Sequence, residues 1–207
     1  MKTTEIRAAD LSDKAVKAKT GKTLAQWYAY LEFRGGIDKG RREHVTHLYS
    51  EANLDEWWSV TVVVEYEKHK HQVEKDGMPK GYSICSTKTV AAPVAKVFES
   101  FGNPKSLDAW LGPKSKATFK DGGSFENGAG DKGTFERIRP NKDIRLIWNN
   151  EKLAPGTKVE VLFADKGKGK TGITLNHTRI ASRHDADQLR AGWSAAFDKL
   201  KEFLENG

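Results

Sequence analysis

The chain has 207 residues, 37% hydrophobic and 30% charged, which suits one large domain or two small ones with a modest core. Its single cysteine, Cys85, excludes an intrachain disulfide, and no apolar run approaches the roughly 20 residues of a membrane span. The formal net charge of +7 raises nucleic acid as a partner, yet residues 1–80 carry 14 basic against 13 acidic side chains, so the excess lies downstream. Much of that excess sits at turns, as at Lys166, Lys168 and Lys170, where solvated loop lysines are the plain account and nucleic acid is not expected. The opening stretch lacks the apolar segment of a secretory signal, which makes the cytoplasm the expected setting.

Residues 1–76 read as a small all-α domain. Thr23 and Gln26 form a capping box ahead of Leu24, Trp27, Tyr28 and Leu31, an i, i+3, i+4, i+7 stripe. Gly35-Gly36 ends that helix. Asp38 is the expected cap of the next, which carries Val45, Leu48, Tyr49 and Ala52, and Asn53 with Glu56 is the expected cap of a third. The stretch Ser59–Tyr66 is ambiguous, because Val60, Val62, Val63 and Val64 favour a strand. Trp58, Val62 and Tyr66 recur at i, i+4, i+8, and this spacing predicts a helix to about His71. The run from Asp76 to Gly81 breaks the pattern and marks a domain boundary.

Residues 82–207 read differently. A strand over Tyr82–Ala91 precedes a helix with Pro93 at its first position and Val94, Val97, Phe98 and Phe101 along it. Asn103-Pro104 interrupts, and a second short helix carries Leu107, Trp110 and Leu111. Turn signals at Asp121-Gly122-Gly123, Asn127-Gly128, Pro140–Asp143, Pro155-Gly156 and Gly167-Lys168-Gly169 then divide about six antiparallel strands. A long helix over Asp185–Glu205 closes the chain, with Leu189, Trp193, Ala196, Phe197, Leu200, Phe203 and Leu204 forming one broad apolar stripe. Such a stripe must lie on the preceding sheet. The expected class is α+β: a helix-grip fold, a meander sheet wrapped on a long C-terminal helix, preceded by the helical domain.

Chemical motifs are sparse. Thr20-Gly21-Lys22-Thr23 ends like a phosphate loop, but the glycine that a full motif needs five residues earlier is Val16. His44, His47, His69 and His71 lack cysteine partners and the HExxH spacing, so no metal and no cofactor are expected. Cys85 reads as a small buried hydrophobe. His177 shares a strand face with Ile173 and Leu175 and is the one candidate for chemistry, as a ligand-head contact or a general base; a satisfied strand-end histidine is the bland alternative. Glu136, Arg137, Arg139 and Arg145 are expected to face outward or to pair.

Aromatic side chains on the sheet's inner face and on the long helix either line a pocket or fill it. The candidate ligand-binding set is Trp110, Phe119, Trp148, Phe163, His177, Trp193 and Phe197. Gly192 precedes Trp193 in mid-helix at a cost of about 1 kcal/mol against alanine, which predicts close approach of that helix to the sheet or to a ligand.

The strings STKTVAAPVAKVFESFGNPKSLDAWLGP, TFERIRP and TLNHTRI, with the ending RAGWSAAFDKLKEFLE, resemble the START-like, birch-pollen-allergen-like (SRPBCC) superfamily. Within it they are most similar to the bacterial branch named after the activator of the heat-shock chaperone ATPase. The resemblance covers roughly residues 82–205. It implies the helix-grip fold, while the superfamily's functions range over lipid carriers, hormone receptors, cyclases and co-chaperones. KTGKTLAQWYAYL and LDEWWSVTVVVEYEKHK are similar to a small helical domain of unknown function found in bacterial proteins. The expected function is non-catalytic binding of a small apolar or amphipathic molecule in a cavity between sheet and helix. The alternatives are an adaptor for a chaperone or another acidic protein partner, and a cyclase- or hydrolase-like enzyme using His177.

Overall fold

The structure, a computed structural model, describes residues 11–206. These residues divide between Gly81 and Tyr82 into two compact units.

The first unit is helical: α1 (Asp13–Thr20), α2 (Leu24–Phe33), a 3-10 turn (Gly36–Lys39), α3 (Gly40–Ser50) and α4 (Glu56–His69). Gly21 takes φ 80°, a left-handed stop to α1, and Thr23 and Gln26 satisfy each other's backbone as a capping box. The phosphate-loop fragment is therefore a helix–turn–helix joint. Val16, Trp27, Leu31, Leu48, Leu54, Val62, Val63 and Tyr66 form the core of this unit. Burial of Val62, Val63 and Val64 outweighs their strand propensity, and Asp55 starts α4 by accepting from Trp58 N–H at 2.8 Å. Asn53 does not cap it; it turns the chain at φ 56° instead. Asp38 does not cap α3 either, because the 3-10 turn containing it runs directly into that helix, which has no side-chain cap. The buried Glu67 is held by Arg41, whose other arm reaches the Gly81 carbonyl at 2.9 Å.

The second unit runs β1 (Tyr82–Val90), α5 (Val94–Glu99), α6 (Pro104–Trp110), β2 (Lys116–Ala117), β3 (Ser124–Glu126), β4 (Asp131–Arg139), β5 (Asp143–Asn150), β6 (Thr157–Asp165), β7 (Thr171–Ile180) and α7 (Arg183–Asn206). All seven strands pair antiparallel in the order β1-β7-β6-β5-β4-β3-β2. The meander thus runs along one sheet, and only β1 is taken out of sequence, to the edge beside β7. Ile144, Leu146 and Trp148 on β5, Val159, Val161 and Phe163 on β6, and Ile173, Leu175 and His177 on β7 are all buried, as period-2 alternation predicts. From α7, Ala186, Trp193, Phe197, Leu200 and Leu204 are buried, while Phe203 is partly exposed. This is the helix-grip architecture expected from the sequence. Pro93 occupies the cap position of α5 rather than its first turn. Cys85 is exposed, not buried: Ile84, opposite His177, takes the inward register and turns its neighbour out.

The charged strand residues pair. Arg137 and Arg139 both grip the buried Asp143, Arg145 meets Glu160 at 2.5 Å, and Lys158 meets Glu136 at 2.8 Å. Burial alone would push the Asp143 carboxyl up, but hydrogen bonds from Arg139 and Arg137 outweigh it and hold the group below the usual carboxylate range.

Rings knit the interior: Phe98 meets Phe119, and Phe101 meets Trp110 and Phe163. Gly102, between α5 and α6, is required by this packing, since a Cβ there would fall 2.2 Å from Phe119 Cγ. Gly102→Ala is expected to displace Phe119 and destabilise the fold by about 1–3 kcal/mol, measured by urea unfolding. An unchanged midpoint would mean that the ring yields freely.

Candidate functional site

A cavity of about 270 Å³ lies between the β5–β6 hairpin end and the N-terminal half of α7. Gln188, Leu189, Gly192 and Ala196 make its helix wall, and Asn150, Lys152 and Leu153 make the hairpin rim. A smaller, almost wholly apolar void of about 30 Å³ lies deeper, lined by Phe101, Leu107, Trp110 and Phe125 among others. Leu111, Trp148 and Trp193 line both spaces and so form the partition between them.

The partition is locked from behind. Trp193 Nε1–H donates to His177 Nδ1 at 3.1 Å, which leaves the proton of neutral His177 on Nε2. That N–H donates to Thr157 Oγ1 at 2.8 Å, and the Thr157 hydroxyl donates to the Trp148 carbonyl at 3.0 Å. The relay exists because β5 and β6 pair Trp148 with Thr157, and β6 and β7 pair Val159 with His177. Fully buried, His177 has its pKa pushed down to about 4 by desolvation. Both ring nitrogens are in use, so a general base at His177 would first have to break one of these bonds.

The Trp148 and Trp193 rings lie 5.1 Å apart at 62°. Trp193 Nε1 is satisfied, but Trp148 Nε1 is buried with no hydrogen-bond partner. At the rim, Asp131 is braced by Asn150 at 2.7 Å and Asn127 at 3.0 Å, one on each carboxylate oxygen.

Of the aromatic and histidine candidates read from the sequence, Trp148 and Trp193 line both spaces and Trp110 lines the inner void. Phe119, Phe163, His177 and Phe197 line neither: Phe119 packs on Phe98 and Phe135, Phe163 on Phe98 and Phe101, and Phe197 on Trp110 and Trp193. His177 acts through Trp193 instead. Gly192 is not closely approached by the sheet; it is exposed at the edge of the cavity, and a Cβ built there meets nothing within 4 Å. Sequence reasoning missed Thr157, although it stands in phase with Val159, Val161 and Phe163 and was therefore readable as an inward polar group. Of the rim residues, Asn150 ends β5, and Lys152 and Leu153 lie on the turn after it and carry no periodic signal.

In the first unit, His44 Nε2–H donates to the Gly36 carbonyl at 2.7 Å, and His47 Nε2 lies 2.7 Å from the Tyr30 hydroxyl. His69 stacks on Tyr28. Among the described residues, no three His, Cys, Asp or Glu side chains gather around a common point.

A seven-stranded antiparallel sheet gripping one long helix, with an aromatic-floored cavity beneath it, defines a helix-grip protein. Residues 91–205 match the family described as "Activator of Hsp90 ATPase homolog 1-like protein", more than half of the chain, and the chain belongs to that family. Similar solved structures include CalU16 from Micromonospora echinospora, 25% identical, with a TM-score of 0.53 over 59% of this chain and 76% of that one. An HSP90 activator from Plasmodium falciparum is 20% identical, with a TM-score of 0.54 over 60% and 96% of the two chains. The Aha1 protein of Colwellia psychrerythraea, a dimer in its solution structure, is 17% identical, with a TM-score of 0.54 over 60% and 96%. The last two show shared fold alone. No curated protein matches the chain significantly. Among the described residues, no helix is long and apolar enough to cross a membrane.

Two predictions follow from this geometry. Because nothing occupies the space beside Gly192, Gly192→Ala is expected to stabilise the protein by about 0.5–1 kcal/mol through helix propensity, read from thermal or urea unfolding; destabilisation would contradict the open space. The second concerns acid. His177 is neutral when folded down to about pH 4 but protonates near 6.5 when unfolded, so its contribution is complete above pH 6.5 and is lost as pH falls towards 4. By pH 5 the loss should reach about 2 kcal/mol. Unfolding curves at pH 7 and pH 5 should show that increment in the wild type and not in His177→Gln; equal pH dependence in both would show that His177 is not buried neutral.

Proposed function

We propose that this protein binds a small apolar or amphipathic molecule, without turning it over, in the cavity between the β5–β6 hairpin and α7. The observation that carries this reading is the unfilled space beside Gly192. A mid-helix glycine is costly, yet here it relieves no clash, and an alanine would fit. Gly192 is exposed and borders the cavity, whose other walls include Leu111, Trp148, Leu189 and Trp193. The cavity's size lies just below the range common for small-molecule pockets, and its aromatic floor with a few polar rim groups suits a compact ligand. The relay that consumes both nitrogens of His177 speaks for binding over acid–base turnover. A carrier or sensor working in the cytoplasm is the corresponding role.

Native and denaturing mass spectra of the purified protein test this, together with titration by 8-anilinonaphthalene-1-sulfonate. The expected result is excess mass in the native state or saturable dye fluorescence in the wild type, both lost in Gly192→Leu, whose side chain would fill the cavity. A bare mass with no dye response, or dye binding indifferent to Gly192→Leu, would overturn the reading.

A second reading rests on the family match: an adaptor contacting an Hsp90-type chaperone. The excess of basic residues beyond residue 80 would then meet an acidic partner face. Retention of purified Hsp90 on the immobilised protein at low salt, weakening as salt rises, is the expected outcome; no retention at low salt would exclude this version.

A further inference from the structure

Most carboxylates of the sheet are paired with a basic side chain. Asp143 is gripped by Arg137 and Arg139, Glu160 by Arg145, Glu136 by Lys158 and Glu126 by Lys116. Asp131, at the start of β4, is held by two neutral amides instead, and among the described residues it forms no ion pair. Those amides are themselves fixed. The Oδ1 of Asn127 takes the Ala129 and Asp131 N–H groups at 2.9 and 3.1 Å, and the Oδ1 of Asn150 takes the Lys152 N–H at 2.9 Å. Both NH2 groups are thereby turned on the carboxylate, which they orient without offsetting its charge.

Asp131 also faces the cavity. It stands in phase with the buried Gly133 and Phe135 on β4, and opposite Asn150, which stands in phase with Ile144, Leu146 and Trp148 on β5. Its side chain therefore continues the inner face that carries Trp148. The residue lines the 270 Å³ cavity and is only partly buried, so it is open to a ligand there. Each carboxylate oxygen has accepted one side-chain hydrogen bond and can accept another. Trp148 and Trp193 supply an aromatic wall to the same space, a surface that attracts cations. The one basic side chain on the cavity, Lys152, is exposed on the turn after β5 and forms no ion pair with Asp131.

From this we infer that the ligand is an amphipathic cation, an apolar body ending in a protonated amine, with the amine on the Asp131 carboxylate and the apolar body against Trp148 and Trp193. The inference rests on the ligand-binding reading above and adds the charge and head group of the ligand. A neutral alcohol of the same shape can donate one hydrogen bond but forgoes the charge, so it binds more weakly. An anionic head at that point would face Asp131 and be repelled.

The test uses three probes, 1-naphthylmethylamine, 1-naphthalenemethanol and 1-naphthoate, which share a bicyclic frame and differ in head-group charge. Affinities are measured by calorimetry on the full chain at neutral pH. The expected result is that the amine binds about tenfold more tightly than the alcohol at low salt, as one charge-assisted hydrogen bond gives, and that naphthoate binds most weakly. The ratio of amine to alcohol should shrink as salt is raised. Asp131→Asn, close to isosteric, should bind amine and alcohol alike. Should that variant not fold, the wild-type ratio and its salt dependence decide the matter. Any molecule released from the native protein should carry a basic nitrogen. Equal wild-type affinities for amine and alcohol, tightest binding of naphthoate, an amine preference that survives in Asp131→Asn, or a released molecule without a basic nitrogen would each overturn the cation assignment and leave ligand binding standing. So would failure of the amine to bind where the dye does. Failure of all three probes, in a protein that also shows no native excess mass and no dye response, would remove the ligand reading and this inference with it.

Discussion

The relay from Trp193 through His177 and Thr157 to the Trp148 main chain is the constraint on which the second unit turns. It ties α7 to three adjacent strands by buried side-chain hydrogen bonds. In that low-dielectric setting, a satisfied polar chain is directional, whereas hydrophobic contact is not. Phe197, Leu200 and Leu204 hold the helix against the sheet; the relay specifies where Trp193 must stand. Desolvation keeps the imidazole neutral, and neutrality is what allows one nitrogen to accept while the other donates.

Once the two tryptophans are placed, the interior has two kinds of space. Towards α5 and α6 it is filled by rings in mutual contact, tightly enough that Gly102 admits no side chain beneath Phe119. Towards the β5–β6 hairpin it is left open, and Gly192 faces that opening with no neighbour. The two glycines thus stand in opposite surroundings, one closely packed and the other exposed. Membership of a family named for a chaperone activator does not by itself choose between ligand and partner, because one fold can carry different functions.

In the helical unit, local rules and burial agree in most places. The capping box at Thr23 and the left-handed Gly21 end one helix and start the next with no tertiary help. The valine-rich α4 shows burial overriding propensity, for Val62, Val63 and Val64 are enclosed by neighbouring elements. The misread caps at Asp38 and Asn53 share one cause. Each residue type suits either a cap or a turn, and the turn won, in one case within the 3-10 segment and in the other through a positive φ.

From the sequence alone followed the strand-and-helix order, the inward faces of β5, β6 and β7, the stripe of α7 and the presence of Trp148 and Trp193 near its centre. These depend on periodicity and turn chemistry, which neighbouring residues carry in themselves. Thr157 was legible by the same alternation. Only the tertiary structure decided that His177 spends both nitrogens on structure, that Trp148 keeps a free donor, that Cys85 faces outward, and that Gly192 borders a void. Each of these turns on which atoms from distant segments meet, and strand register and helix placement set those meetings; the residues themselves do not encode them locally.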